Sequence, residues 1–124
     1  MDIYRELIID HYKHPRNYGH LKNASSFAQA FNATCGDKMR MEVKCKIQNA
    51  KCKIEDIKFS GEGCAISQAS ASMLTEYVKG KSQQEVSKLK TEDILRMLGT
   101  TLTPSRVKCA VLPLEVLQKA LSKL

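Results

Sequence analysis

The sequence predicts an α+β protein: one N-terminal helix, a small antiparallel sheet, and helices set apart after it. Three observations point there. Residues 38–59 alternate apolar and charged side chains with a period of two. From residue 64 onward the apolar residues recur at helical spacing. Helix start and stop residues punctuate that second half: Ser82 with Glu85, Thr91, Pro104 and Pro113 as starts, Gly80 and Gly99 as stops.

In chain order, Asp2 is placed to cap a first helix, with Ile3, Leu7 and Ile8 on one face and Tyr12 continuing it. That helix should stop near His14, because Pro15 disfavours a helical predecessor. Residues 16–25 read as loop, and SFAQAF (26–31) as a short strand. KMRMEVKCKI (38–47) puts Met39, Met41, Val43, Cys45 and Ile47 on one face. Gln48–Asn49–Ala50 is a turn, and KCKIEDIKF (51–59) returns with Cys52 and Ile54 inward. The pattern then slips at Glu55–Asp56 before Ile57 and Phe59, which predicts a bulge. After the GEG turn, Ile66, Ala69, Met73, Leu74, Tyr77 and Val78 share a helical face. Short helices carry Val86 and Leu89, then Ile94, Leu95 and Leu98. Pro104–Ser105 begins a further turn of helix, and Pro113 a separate last one through Leu114, Leu117 and Leu121.

The 124 residues, 43% hydrophobic, fit a single domain spanning 1–124 with an aliphatic core that methionine supplements. The formal charge of +7 is spread along the chain with few aromatics, a pattern that favours a solvated basic surface over nucleic-acid binding. The N-terminal segment is amphipathic and contains acids, unlike a signal or transit peptide, and no apolar run approaches the roughly 20 residues of a membrane span. The expected setting is the cytoplasm, with no membrane partner. There, five cysteines argue against a disulfide framework and for buried thiols, metal ligands or reactive thiols.

The cysteines divide into two groups. Cys45 and Cys52 lie on inward strand positions and are expected to be inert small hydrophobes. Cys35 lies in the turn-like ATCGD, with Gly36 permitting an unusual backbone angle and Asp37 bringing a carboxylate. Cys64 follows two glycines at a helix start, where unpaired N–H groups and the helix dipole favour an anionic sulfur. Cys109 follows Arg106 and Lys108, whose charges act in the same sense. Three thiolates and a carboxylate could complete a four-coordinate zinc or iron site, although no C-x-x-C pair is present. The small residues between Ala65 and Ser72 suit either close helix packing or room for a cluster. His11, His14 and His20 form no compact ligand pattern and are expected at the surface or at caps.

Several ordered motifs resemble the U-type iron–sulfur cluster scaffold family, whose branches are IscU, SufU and the N-terminal domain of NifU. They are Asp10–His11–Tyr12 with Pro15–Arg16–Asn17 and Gly19, then Cys35–Gly36–Asp37, GEGCAISQASASM (61–73), Tyr77–Lys81, and Arg106–Val107–Lys108–Cys109–Ala110. The resemblance implies a three-stranded antiparallel sheet with helices packed on one face. It implies that Cys35, Asp37, Cys64 and Cys109 gather at one end and hold either zinc (Zn2+) or a transient [2Fe–2S] cluster. It also implies a pyridoxal-phosphate cysteine desulfurase as sulfur donor, Cys35 or Cys109 as sulfur acceptor, and apo-proteins as recipients. Asp37, a hard ligand among soft ones, is expected to keep such a site labile. Lys108 stands where IscU-type members have histidine, which leans toward SufU. The short interval between Cys64 and Cys109 lacks the usual SufU insertion. Two functions follow from the likeness, an assembly scaffold and a zinc-dependent sulfurtransferase. A basic nucleic-acid-binding module with structural zinc is the competitor from another class.

Overall fold

A computed structural model describes residues 3–33 and 36–124. Its elements in order are α1 (Ile3–Lys13), β1 (Ser26–Asn32), β2 (Asp37–Gln48), β3 (Lys51–Glu62), α2 (Ala65–Val78), α3 (Gln83–Ser87), α4 (Thr91–Leu98) and α5 (Pro104–Ser122). The strands form one antiparallel sheet in the order β1-β2-β3. The α+β class, the three strands and the helix placement agree with the expectation. The expected cap at Asp2 lies outside the described residues.

The period-two pattern has the anticipated consequence. Met39, Met41 and Val43 of β2 and Ile54, Ile57 and Phe59 of β3 are buried. They meet Leu74 and Val78 of α2 and Leu114, Leu117 and Leu121 of α5 in one core. Fully burying aliphatic side chains of this size is worth about 1.5–3 kcal/mol each. The register shifts beside Lys44 and Cys45: Lys44 faces Asp56 while Cys45 faces Ile54, so Glu55 is the extra residue of a bulge. That bulge lets both halves of β3 point their apolar residues inward. Asn49 and Ala50, at φ 55° and 62°, make the two-residue turn between Gln48 and Lys51. Among the described residues no helix is long and apolar enough to cross a membrane.

Four expectations are corrected. Pro113 does not open a helix of its own; α5 runs unbroken from Pro104 to Ser122 with Pro113 inside it. An internal proline costs a hydrogen bond. Here the residues around it, from Cys109 to Leu114, are all buried, and packing holds the helix together. His11 is no surface residue: it is buried on α1, with Nδ1 2.7 Å from Ser72 Oγ of α2. Ile3 and Tyr12 of the expected α1 face, and Tyr77 of α2, are exposed instead. Finally, Cys45 and Cys52 are not separate inert thiols. They sit diagonally across the hairpin and are joined as a disulfide, with Cα atoms 5.4 Å apart.

The DHYxxPRNxG segment proves to be a strap. Arg16 binds Asp10 through its guanidinium at 2.6 Å, holding the Asp10 carboxyl below its usual range, and its N–H donates to Ser72 Oγ at 2.8 Å. Asn17, at φ 60°, donates its amide to Thr75 Oγ1, and its carbonyl accepts from Phe59 N at 2.9 Å. Gly19 N donates to the Phe59 carbonyl at 2.8 Å. The strap joins α1, α2 and the outer edge of β3, and so fixes the end of β3 that leads to Cys64.

Candidate metal centre

The centre forms where β2 begins and β3 ends. Gly61 lies within β3 at φ 135°, and a Cβ there would collide with the Lys38 carbonyl on β2. Only glycine lets the strands approach so closely at this point. Two residues on, a Cβ at Gly63 would strike Ser67 Oγ and lie 2.7 Å from Asp37 Oδ1. The space a side chain would fill is occupied by the Asp37 carboxylate. This answers why two glycines precede Cys64: they bring the acid of one strand to the start of α2.

Cys64 is the N-cap of α2. Its sulfur accepts from Ser67 N at 3.5 Å, its backbone N–H donates to Asp37 Oδ1 at 2.9 Å, and its carbonyl accepts from Ser67 Oγ at 3.1 Å. Ser67 thus steadies the cysteine without touching Asp37's other oxygen. The C-x-x-S spacing from a cap residue was the available signal for it. Cys109, in the second turn of α5, is fully buried, and its thiol donates to the Ser105 carbonyl at 3.6 Å. Ser70 Oγ donates to the Ala110 carbonyl at 2.6 Å, locking α2 against α5 beside Cys109. The small residues of α2 therefore serve close helix packing.

One ligand atom each from Asp37, Cys64 and Cys109 lies within 4.8 Å of the others. In a tetrahedral zinc site with sulfur ligands at ~2.3 Å, ligand atoms stand roughly 3.5–4 Å apart. Small side-chain rotations would close the observed triangle around one ion. Asp37 is fully buried, yet its Oδ2 has no hydrogen-bond partner among the described residues. A buried carboxylate oxygen left alone is costly, so the donor set fits a cation. Cys35, the fourth expected residue, lies outside the described residues, adjoining Gly36 and Asp37. Cys45 and Cys52 are at the other end of the hairpin, as the disulfide already described, and His11, His14 and His20 are not in the group.

A second buried carboxylate went unnoticed in the sequence. Glu42 points from β2 to the outer face of the sheet and is only 4% exposed. Burial alone would raise its pKa. Hydrogen bonds from His20 at 2.7 Å, Arg40 at 2.9 Å and Leu21 N at 2.8 Å outweigh that and lower it to about 2. It pins the 17–25 loop to the sheet and has all its partners, in contrast to Asp37.

Comparison with known proteins gives a consistent picture. The profile of the NifU-like N terminal domain family matches residues 3–124. The zinc-dependent sulfurtransferase SufU of Bacillus subtilis (strain 168) is 39% identical, over 98% of this chain and 90% of that protein. The alignment spans 138 positions, more than this chain's 124, so the relative carries residues this chain lacks. The iron–sulfur cluster assembly scaffold protein IscU of Aquifex aeolicus (strain VF5) is 41% identical, over 95% of this chain and 73% of that protein. A crystal structure of FiSufU from Fervidobacterium islandicum AW-1, a candidate scaffold for the SUF system, superposes with a TM-score of 0.78 at 31% identity, covering 94% of each chain.

Proposed function

The chain belongs to the NifU-like N-terminal domain family, and we propose that it is an iron–sulfur cluster assembly scaffold. In this reading it takes sulfur from a pyridoxal-phosphate cysteine desulfurase, builds a transient [2Fe–2S] cluster as cargo, and passes it to apo-proteins. The observation that carries the reading is the fully buried Asp37: its carboxylate lies beside the Cys64 and Cys109 sulfurs, and its Oδ2 has no hydrogen-bond partner among the described residues. Such a donor set asks for a soft, tetrahedral-preferring cation.

Cys35, Asp37, Cys64 and Cys109 are assigned as ligands. Cys64 is steadied by Ser67 and by the start of α2, where the dipole favours negative charge. Sulfur arrives by exchange. A thiolate of this chain attacks the outer sulfur of the desulfurase persulfide, the persulfide S–S bond breaks, and the desulfurase cysteine leaves as a thiolate. The new persulfide resides on this chain with its proton. Cys109 is fully buried, so Cys35 is assigned as first acceptor and Cys109 as second. Asp37 supplies a single oxygen ligand that exchanges more readily than sulfur, which suits release.

A second reading, a zinc-dependent sulfurtransferase, draws support from Lys108 in place of histidine and from the B. subtilis relative. Zinc, held by the same four residues, would keep the thiols deprotonated and oriented for sulfur acceptance. Metal content and desulfurase stimulation measured on one preparation separate the readings. Iron and sulfide incorporated anaerobically, giving charge-transfer absorbance that Cys64→Ser loses, supports the scaffold. Tight stoichiometric zinc, with stimulation lost in Cys35→Ala, supports the sulfurtransferase. Neither metal bound, or Cys64→Ser reconstituting like the parent, contradicts the ligand assignment.

A further inference from the structure

We propose that Cys45 and Cys52 form a thiol–disulfide exchange site at the hairpin tip, selective for anionic low-molecular-weight thiols and independent of the Asp37 centre. The pair is preorganised. Cys45 faces Ile54 and Cys52 faces Ile47, so the cysteines are diagonal neighbours on one face of the hairpin. Their Cα separation of 5.4 Å lies inside the range that disulfides adopt. The turn at Asn49–Ala50 fixes that spacing, so the bond can open and close without rearranging the sheet.

Access and charge both point outward. Cys45 is half-buried and Cys52 buried, while neighbouring Ile47 is 70% exposed. Each cysteine stands between two lysines, Lys44 and Lys46 around one, Lys51 and Lys53 around the other. Lys46 and Lys53 face each other directly across the strands. The nearby acids are fewer: Asp56 faces Lys44 and pairs with Lys79 at 3.4 Å, and Glu55 is the bulged residue. A basic tip raises the local concentration of anionic reagents. Along β2, Cys45 is eight residues from Asp37, about 26 Å at the usual rise. The two sulfur chemistries cannot share a reagent by contact.

The incoming thiolate meets the more accessible Cys45. Its sulfur bonds to Cys45 Sγ, the Cys45–Cys52 bond breaks, and the electron pair leaves on the Cys52 sulfur, which takes a proton from water. A second thiolate attacks the reagent's sulfur in the mixed disulfide, giving the symmetrical reagent disulfide and a Cys45 thiolate. Two reagent thiols are oxidised and one protein disulfide is reduced. The reverse reaction, with the reagent disulfide as oxidant, closes the pair again.

The test uses the full chain with its metal as isolated. It is first treated with the disulfide of 2-mercaptoethanesulfonate. It is then reduced with 2-mercaptoethanesulfonate or cysteamine at equal thiolate concentration, alkylated, and cut after glutamate. Peptide 43–55 then carries both cysteines and none of those assigned to the metal. Opening should be about tenfold faster with the anionic thiol at low salt, converging toward parity near 1 M salt. Replacing Lys44, Lys46, Lys51 and Lys53 by glutamine should abolish the preference, and Cys52→Ser should accumulate the mixed disulfide on Cys45. Equal low-salt rates for the two thiols, or a peptide that stays dithiol after the oxidising step, would overturn the proposal.

Discussion

At one end of the β2–β3 hairpin, Asp37 and Cys64 meet Cys109 where two glycines let the chain approach closely; at the other, Cys45 and Cys52 bond to each other. The residue type is the same and the strands are the same. At the first end a buried carboxylate has an oxygen without a partner among the described residues, and the sulfurs are steadied by a helix start and by backbone groups. At the second the two sulfurs bond to each other, and lysines outnumber the acids around them. What a cysteine does is set by what converges on it, and a metal site is marked by unmet charge as much as by thiols.

The sharpest way to break the contrast is Asp37→Ala. It should cost at least ~100-fold in zinc or iron affinity, more than loss of a group that merely orients a ligand, as read by competition with a chromophoric chelator. Affinity within a few-fold of the parent would mean the orphan oxygen is not a ligand. Next comes Gly63→Ala. Its Cβ would displace Asp37 and Ser67, so about 2–3 kcal/mol of stability should go, with weakened metal binding, measured by urea unfolding and metal analysis.

Glu42 sharpens the comparison between the two buried acids. Its folded pKa of about 2 lies below the ordinary 4.5. The stability contributed by its charged form is therefore complete above about 4.5 and lost as pH falls toward 2. Glu42→Gln should destabilise by about 2 kcal/mol at pH 7, and the gap from the parent should close by pH 2. A gap that is constant with pH would contradict the charge-based account. His11 adds an earlier window: burial foremost, and then Arg16, holds its pKa below 6.5, so stability is present above 6.5 and is lost as pH falls below it. The smallest effect on the metal centre belongs to Cys45→Ser with Cys52→Ser, which should leave metal content unchanged while lowering stability by about 1–3 kcal/mol.

Much of this was legible in the chain. The alternation of residues 38–59 gave both strands, and the slip at Glu55–Asp56 gave the bulge, because period two leaves no other way to keep Ile54 and Ile57 on one face. Gly80, Ser82 and Gly99 marked helix ends as capping physics requires. The failures share a cause: tertiary contact overrode a local rule. Pro113 looked like a start, but burial keeps α5 intact around it. His11 looked like a surface residue, but Ser72, 61 positions away, receives it. Cys45 and Cys52 sat correctly on one face, yet a period of two says nothing of a diagonal pair across the hairpin, which the register between β2 and β3 decides. For the centre, Asp37, Cys64 and Cys109 were nameable from glycine placement, helix starts and the family likeness; the unpartnered Asp37 oxygen needed coordinates.

The most direct test is a crystal structure of the protein as isolated, with diffraction recorded on both sides of the zinc and iron absorption edges. The account predicts one anomalous peak about 2.0–2.4 Å from Asp37 Oδ2 and the Cys64 and Cys109 sulfurs. A site without metal whose Asp37 Oδ2 instead meets a protein donor, or a metal held at Cys45 and Cys52, would contradict it.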